Sequence, residues 1–449
     1  MRTPIFFIPM AAVAAALCFT ACSSDKDELA DLLAQQENSL LTEEPSVSSS
    51  PFAISIDEAQ KTLEEILAKE DGQGSATRGA QHQRRIKNRF ASRSNKMATR
   101  SAGDSNQESE NPLLYVFNFE DNEGFAVMGA DKRGAPLLAL VESGEFTPGM
   151  TTDNLGFAIS MSQAVAAYSQ MIVEAGSDTV YNTNGFVMTA TVKDSITVNK
   201  NGQCQVAWHQ WSPYNLLCPP YSQVEQNCPT GCDATAAAQL MSIYKYPSSY
   251  AGQTFNWDSM IAGTDNDGVA RLMMLLGLPV NLNNNYTPNN SSAHLEDVPH
   301  ALQNFGYAHP GVYADYDANV VMSHVLAGLP VLMRGRATKS FYMGTPPNPL
   351  IYMYSEPSKH AWLVDGGKIV TITIQVHNFL TGEHAVIGPN TAKYIHCNFG
   401  WEDANRYNGL FLTNNIDTVD KIISEQGQTY ISDHYYQFDL KMVTGISPQ

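Results

Sequence analysis

The sequence has little positive charge. Its 449 residues include 27 Lys or Arg and 45 Asp or Glu, which gives a formal net charge of −18 at pH 7. A surface of this sign repels phosphate groups, so nucleic acid is not expected as a partner. The basic residues concentrate in residues 78–100, where no acidic residue separates them. This basic segment is predicted to be a solvated loop that is open to proteases.

The sequence also lacks a long apolar run. Beyond the N-terminus, no run reaches the roughly 18 residues that a membrane-spanning helix needs. Residues 5–17 are apolar, follow Arg2 and end shortly before Cys22, which stands where a lipoprotein signal carries its acylated cysteine. Residues 1–22 are therefore predicted to be a lipoprotein signal with Cys22 as the lipid attachment site. An ordinary secretory signal cut nearby is the alternative.

Both alternatives predict an exported protein. With an acylated Cys22, the predicted location is the outer membrane or the cell surface, and processing could then release the protein. The lipid would be the only attachment to the membrane.

Cysteine is scarce as well. The chain has seven cysteines, and five would remain after Cys18 leaves with the signal and Cys22 is acylated. Five is an odd number, so at least one thiol would stay unpaired in an oxidising compartment. Cys228 and Cys232 could form half of a zinc site, but no second Cys or His pair has comparable spacing. No metal or cofactor is therefore expected.

Composition divides the first part of the mature chain into two. Residues 23–51 are polar, end in Ser and Pro, and are predicted to be a flexible tether. Residues 52–190 are predicted to form a small α+β unit. Its expected elements are a helix capped by Ser55, three short β-strands in residues 113–146, and a second helix that ends at Gly176.

A second unit is predicted from residue 191 to residue 449, and it contains all five tryptophans. Residues 179–203 are largely polar and are predicted to be an irregular boundary in front of it. Its first part, about residues 232–330, has the pattern of helices, and about residues 330–440 have the pattern of strands.

The strongest chemical signal is the sequence "TGCDATAAA" around Cys232. Gly231 permits a tight turn, and the small residues after Cys232 permit a closely packed, buried helix. A cysteine at a helix start meets free backbone N–H groups and the positive end of the helix dipole, which favour the thiolate. The alternative is a structural cysteine at the start of a core helix. A thiolate nucleophile also needs an imidazole, and His360 of "KHAWLVDGG" opens a β-like run that could hold one rigidly.

Four motifs in order resemble those of the streptopain-like cysteine peptidases, which are papain-type enzymes of bacteria. The motifs are "HQWSPYNLLCP", "TGCDATAAAQLMSIYKYP", "KHAWLVDGG" and "HCNFGW…NGLFL". In addition, "SIDEAQKTL" and "YVFNFEDNEGFAVMGADKRGAPLLALVESG" resemble the pro-domain of that family. The resemblance implies an α+β fold, in which a small α+β pro-domain precedes a papain-like catalytic domain with a helical part and an antiparallel sheet part.

The resemblance also assigns roles to residues. It implies that Cys232 is the nucleophile, that His360 is the general acid and base, and that Gln210 contributes its side-chain amide to the oxyanion hole. Gln226 competes for the last role, because it precedes Cys232 at the spacing seen in plant papains.

The fourth motif departs from the family pattern. Phe399 stands where a tryptophan is common, and an aromatic hydrocarbon ring cannot donate a hydrogen bond. Asn398 and Trp401 are the remaining candidates for orienting His360 and shielding it from water.

The implied function is that of a secreted or surface-anchored cysteine endopeptidase made as a zymogen, which hydrolyses proteins or peptides. The pro-domain would be its intramolecular inhibitor. The alternative is a catalytically weak or inactive binding protein on the same fold.

Overall fold

The computed structural model describes twelve segments of the chain. They are residues 52–73, 84–91, 112–175, 188–200, 202–221, 226–337, 341–343, 351–353, 358–378, 384–402, 406–414 and 438–449. The predicted signal, the predicted tether and both ends of the basic segment lie outside these residues. No helix in the described segments is long and apolar enough to cross a membrane.

Residues 52–175, named the N-terminal region here, combine two helices with short strands. The predicted cap of the first helix is confirmed, because the Ser55 hydroxyl accepts a hydrogen bond from the backbone N–H of Glu58 at 3.2 Å. Asn154 caps the second helix by accepting from the N–H of Phe157 at 3.0 Å. The elements are α1 (Ile56–Gln73), β1 (Ile86–Ala91), β2 (Leu114–Phe119), β3 (Phe125–Gly129), β4 (Leu137–Val141), β5 (Met150–Thr152) and α2 (Leu155–Glu174). The three strands and second helix predicted from the pattern are confirmed.

The basic segment is not a loop throughout. Residues 86–91 form β1, which pairs antiparallel with β2. Acidic neighbours explain this difference, because Lys87 binds Glu145 at 2.8 Å and Arg89 binds Asp57 at 2.6 Å. Charges that would otherwise be solvated are matched along the strand, so the prediction of a free loop is wrong for this stretch.

The predicted irregular boundary also contains a strand. Residues 188–200 form β6 (Met188–Lys200), which pairs antiparallel with a long strand of the second unit. Its sequence, "MTATVKDSITVNK", is rich in the β-branched residues Thr, Val and Ile, which favour strands. The polar character of this stretch favours a loop, but the strand propensity and an available sheet edge decide its structure.

Helices follow in the part where they were predicted. These are α3 (Cys232–Tyr244), α4 (Trp257–Ile261), α5 (Asn266–Gly277), α6 (Val298–Asn304) and α7 (Ala318–Leu326). Small hairpins flank α3, with strands β7 (Pro220–Tyr221), β8 (Gln226–Asn227), β9 (Ser249–Tyr250) and β10 (Gln253–Thr254). The predicted helix-rich portion is therefore confirmed.

Strands dominate the described residues from 331 onward, as predicted, and one further strand, β11 (His309–Asp315), lies inside the portion predicted to be helical. The strands from residue 331 onward are β12 (Val331–Ala337), β13 (Phe341–Met343), β14 (Ile351–Met353), β15 (Ser358–Asn378), β16 (His384–Asn398), β17 (Gly409–Thr413) and β18 (Lys441–Ser447). One sheet has the order β1-β2-β3-β4-β17-β16-β15-β12-β18-β11, with β6 beside the far half of β15. The pairing of β4 with β17 extends the sheet of the N-terminal region into that of the second unit.

The sheet separates two hydrophobic cores. Alternate residues of a strand point to opposite faces, so Trp362 packs into the core that contains α1, α2 and α7. Its neighbours Ala361 and Leu363 pack into the core that contains α3, α5 and α6. The predicted α+β class, with a helical part and an antiparallel sheet part behind a small α+β region, is confirmed.

Candidate active site

Cys232 is the first residue of α3, where the sequence placed it. Gly231 precedes it with φ of +87°, a left-handed conformation that glycine adopts without a Cβ clash. The cysteine is only 6% exposed, and its sulfur accepts a hydrogen bond from the backbone N–H of Ala361 in β15. Oδ2 of Asp233 lies 3.7 Å from the same sulfur. The helix is buried, which confirms that expectation.

The thiol of Cys232 is protonated in this conformation. Burial, followed by the Asp233 carboxylate, raises the pKa of the Cys232 thiol to about 12. The positive end of α3 and the cations Arg334 and Lys359 favour the thiolate, but they do not outweigh the loss of water. The helix start was expected to stabilise a thiolate, and here desolvation dominates.

His360 lies on β15, next to Ala361, and is 4% exposed. Its Nε2 is 2.8 Å from the carbonyl oxygen of Phe399 and 3.2 Å from the indole nitrogen of Trp401. This nitrogen either donates to the carbonyl oxygen or accepts from the indole N–H, depending on the tautomer of the imidazole. Within the described residues, no hydrogen bond joins this imidazole to the Cys232 thiol, and the ring packs beside Trp362, on the opposite face of β15 from Ala361.

The start of α2 covers His360. A Cβ atom on Gly156 would lie 3.0 Å from Cδ2 of His360 and 2.6 Å from Cδ1 of Phe399. Only a residue without a side chain permits this approach. Burial lowers the pKa of His360 to about 4, so the imidazole is neutral near pH 7. The N-terminal region thus holds the ring in a dry, apolar environment.

The three supporting candidates have different surroundings. Trp401 contacts His360 directly, and its indole N–H supplies the donor that Phe399 lacks. Phe399 contributes its backbone oxygen to His360, while its ring is buried against Trp362 and Phe411.

Asn398 lies in another hydrogen-bond network. Its Oδ1 accepts from Gln239 at 3.0 Å, and its Nδ2 donates to the carbonyl of Val206 at 3.2 Å. In this conformation the side chain of Asn398 therefore fixes α3 to the strand end, and within the described residues it makes no hydrogen bond to His360.

Gln210 is close to the helix start in the fold. Its carbonyl oxygen accepts a hydrogen bond from the N–H of Thr230, two residues before Cys232, at 3.0 Å. Within the described residues, its side-chain amide makes no hydrogen bond. The competitor Gln226 is exposed on the β7–β8 hairpin and accepts from the hydroxyl of Tyr221. Of the two glutamines, Gln210 is therefore the one that lies beside the start of α3.

A charged cluster beside the site was missed from the sequence. His396 donates from Nδ1 to Asp365 at 2.6 Å and from Nε2 to Glu142 of the N-terminal region at 3.0 Å. Asp365 is fully buried and also accepts from the backbone N–H groups of Gln203 and Cys204 at 2.7 and 2.6 Å.

Burial alone would lower the pKa of His396, but the two carboxylates hold it well above its ordinary value. The described residues contain no cluster of three or more His, Cys, Asp or Glu that could hold a metal ion. The five cysteines from Cys204 onward carry free thiols.

Two family models match parts of the chain. Residues 208–411 match the sequence model of the Peptidase C10 family, and residues 54–165 match that of the Spi protease inhibitor. The residues that match the inhibitor model precede those that match the peptidase model. Cys232 and His360 lie among the residues that match the peptidase model, and Gly156 lies among those that match the inhibitor model.

The relatives are distant. Streptopain of Streptococcus pyogenes is 25% identical over 235 residues, which cover 43% of this chain and 56% of streptopain. The chain thus spans little more than half the length of that relative. The thiol protease/hemagglutinin PrtT of Porphyromonas gingivalis is 27% identical over 158 residues, which cover 34% of this chain and 18% of PrtT.

Solved structures of Prevotella intermedia proteins also align with the chain. A prointerpain A fragment is 20% identical, with a TM-score of 0.42, and covers 74% of this chain and 94% of its own. Active wild-type interpain A is 19% identical, with a TM-score of 0.35, and the alignment covers 55% of this chain and 95% of interpain A.

Proposed function

We propose that this chain is a cysteine endopeptidase made as a zymogen, with Cys232 as nucleophile and His360 as general acid and base. One observation carries the proposal. Cys232 begins a buried helix that packs on the strand carrying His360, and a helix of the Spi-type inhibitor region covers that histidine. A latent peptidase requires this combination of a nucleophile, a base and an internal inhibitor.

The chemistry would follow from these residues. In the active form, the Cys232 thiolate attacks the carbonyl carbon of a peptide bond, while His360 carries the proton taken from the thiol. The developing oxyanion accepts hydrogen bonds from the Cys232 backbone N–H and the Gln210 amide. His360 protonates the leaving amine, and a thioester acyl-enzyme forms. Water activated by His360 then hydrolyses the thioester and restores the thiol.

Latency would follow from the position of α2. A neutral thiol and a neutral imidazole on opposite faces of β15 cannot exchange a proton. Removal of α2 would take Gly156 from the ring and let His360 turn toward Cys232. We assign the inhibitory pro-domain to residues 52–190 and the peptidase domain to residues 191–449. Activation cleavage is proposed in the boundary of residues 179–203 or in the basic segment, and the pairing of β6 leaves the part of the boundary ahead of that strand as the more accessible one.

The test measures processing and thiol reactivity together. The purified full chain is incubated with casein and dithiothreitol, and Cys232 is probed with an epoxide thiol inhibitor. Autoprocessing, casein loss and labelling are expected in the wild type and absent in Cys232→Ala. A wild-type chain that stays intact, spares casein and resists labelling would refute the peptidase proposal.

That negative result would instead support a surface binding protein. Phe399 in place of a hydrogen-bonding aromatic residue and the separation of His360 from the thiol favour this second candidate. Labelling separates the two candidates without knowledge of the substrate.

We also propose export with a lipid anchor at Cys22. The apolar run and the cysteine that follows it support this proposal. Metabolic labelling with a fatty acid is expected to mark the wild type and not Cys22→Ser. Equal labelling of both would contradict the anchor while leaving the peptidase proposal intact.

A further inference from the structure

Basic side chains gather on one face of three adjacent strands. Arg334 and Arg336 occupy alternate positions of β12 and therefore share a face. The register places Arg336 opposite Lys359 of β15 and Arg334 opposite Lys441 of β18. The whole chain has a net charge of −18, so this cluster of basic side chains has the opposite sign of charge to the chain as a whole.

This face is the one that carries the nucleophile. Arg334 is also opposite Ala361, whose N–H donates to the sulfur of Cys232. Lys359 lies two residues before Ala361 on the same face. Neighbouring strands are about 4.8 Å apart and residues rise about 3.3 Å along a strand. Arg334 and Lys359 are thus within reach of a substrate residue one or two positions from the scissile bond.

The charges on this face are not balanced. Lys441 binds Asp315 at 2.5 Å and Asp439 at 3.1 Å, so two carboxylates face this one ammonium group. Lys359, by contrast, donates to the neutral carbonyl of Ala293 at 2.7 Å. The guanidinium groups of Arg334 and Arg336 form no ion pair with any described residue.

Asp233 is the carboxylate that acts on this cluster beside Cys232. It is buried and interacts electrostatically with Arg334 and Lys359. One carboxylate can offset only one of the three charges on Arg334, Arg336 and Lys359. An excess of positive charge therefore remains next to the thiol.

This excess works against folding. Like charges that lie directly opposite each other destabilise an antiparallel strand pair. Arg336 and Lys359 lie opposite each other in this way. Local conflicts of this kind are typical of binding sites, where a ligand supplies the missing charge. Guanidinium groups also bind carboxylates through two parallel hydrogen bonds.

We propose that Arg334, Arg336 and Lys359 form a subsite for an acidic side chain of the substrate, within two residues of the scissile bond. The subsite rests on the proposed peptidase function. It gives the enzyme a preference for Glu or Asp near the cleavage point over the neutral Gln or Asn.

The test uses the full chain after processing under reducing conditions. Internally quenched peptides carry Glu or Gln at one position at a time, at the two positions on either side of the cleaved bond. At one of these positions, kcat/KM is expected to be at least about fivefold higher for Glu. The preference should shrink as NaCl rises, because salt screens exposed charges.

Variants then connect the preference to the residues. Arg334→Gln and Lys359→Gln are expected to bring the Glu/Gln ratio toward one, and Arg334→Lys should retain part of it. Arg271→Gln, in α5, is the matched charge control and should leave the ratio at its wild-type value.

Three outcomes overturn the subsite. The first is equal cleavage of Glu and Gln peptides at every position by a wild-type enzyme that labels at Cys232, which leaves the peptidase function standing. The second is a preference for Glu that survives in both Arg334→Gln and Lys359→Gln. The third is no cleavage of any peptide and no labelling, which removes the peptidase function together with the subsite.

Discussion

Two histidines with little exposure to water have opposite charge states in this protein. His360 packs against the glycine at the start of α2, and burial lowers its pKa to about 4. His396 has a side chain that is 16% exposed and lies between Asp365 and Glu142, and their carboxylates hold its pKa well above the ordinary value. The N-terminal region contacts both rings, one through an apolar helix surface and the other through a carboxylate.

The difference shows that burial alone does not set the charge of a histidine. Without a charged neighbour, desolvation favours the neutral ring, and a close carboxylate reverses this preference. His360 can therefore take part in proton transfer only after its environment changes. His396 is a fixed cation that links the N-terminal region to the second unit. The predictions below separate these two roles.

The largest expected effect concerns peptide hydrolysis. His360→Ala should lower kcat/KM by roughly 10³-fold or more, because the general acid and base is lost. His396→Gln should retain most of the activity of processed enzyme, since its ring bonds only to carboxylates that take no part in the reaction. The cleavage rates of both variants are measured on an internally quenched peptide. Similar losses in the two variants would contradict the separation of roles.

Gln210 offers the next largest effect. Gln210→Ala should lower kcat by about 10²–10³-fold, because one donor to the oxyanion is removed. Gln226→Ala is the matched control, and its exposed side chain predicts a rate close to wild type. The reverse pattern would assign the oxyanion donor to Gln226.

The pH dependence of stability should differ between the histidines. We expect this in the unprocessed Cys232→Ala protein, from its free energy of unfolding between pH 4 and 9. The folded-state pKa of His360 is depressed to about 4, so its contribution is present above about 6.5 and lost as pH falls toward 4. This contribution to the free energy of unfolding is expected to be about 3 kcal/mol.

The folded-state pKa of His396 is raised. Its contribution is therefore complete below about 6.5 and lost as pH rises through the folded-state pKa. His360→Gln should flatten only the acid limb of the stability profile, and His396→Gln only the alkaline limb. A single limb affected in both variants would show that the two sites titrate together.

A substitution at Gly156 should loosen the contact of the N-terminal region with His360 and leave its contact with His396 in place. Gly156→Ala adds a Cβ within 2.6 Å of Phe399 and 3.0 Å of His360, so α2 must shift. The rate of Cys232 labelling in the zymogen should rise by about tenfold, which corresponds to about 1.4 kcal/mol. Val173→Ala, on the exposed side of the same helix, is the control. Unchanged labelling would mean that Gly156 does not set the latency.

The smallest effect is expected at Glu142. Its side chain is 56% exposed, so the ion pair with His396 is screened by water. Glu142→Gln should lower the free energy of unfolding of the zymogen by less than about 1 kcal/mol, and less still at high salt. A loss of several kcal/mol would show that this carboxylate is a main attachment of the N-terminal region.

Much of the fold could be predicted because its signals are local. Ser55 caps a helix through a neighbour three residues away, and the meander of β2, β3 and β4 is encoded by short runs broken by Gly and Asp. Two predictions of loops were wrong, for β1 and β6, because distant segments supply the acidic partners of β1 and the strand with which β6 pairs. Composition does not reveal such partners.

The sequence by itself determined the identity of Cys232 as a helix-start cysteine, since Gly231 and the small residues after it act within one turn. It also placed His360 on a strand. Only the tertiary structure decided that Cys232 and His360 face opposite sides of that strand, and that Asn398 bonds to Gln239 in this conformation. The reason is that orientation and protonation depend on groups far away in the chain, such as Gly156 and Glu142. Local pattern fixes a residue's backbone, whereas packing and desolvation fix what its side chain can do.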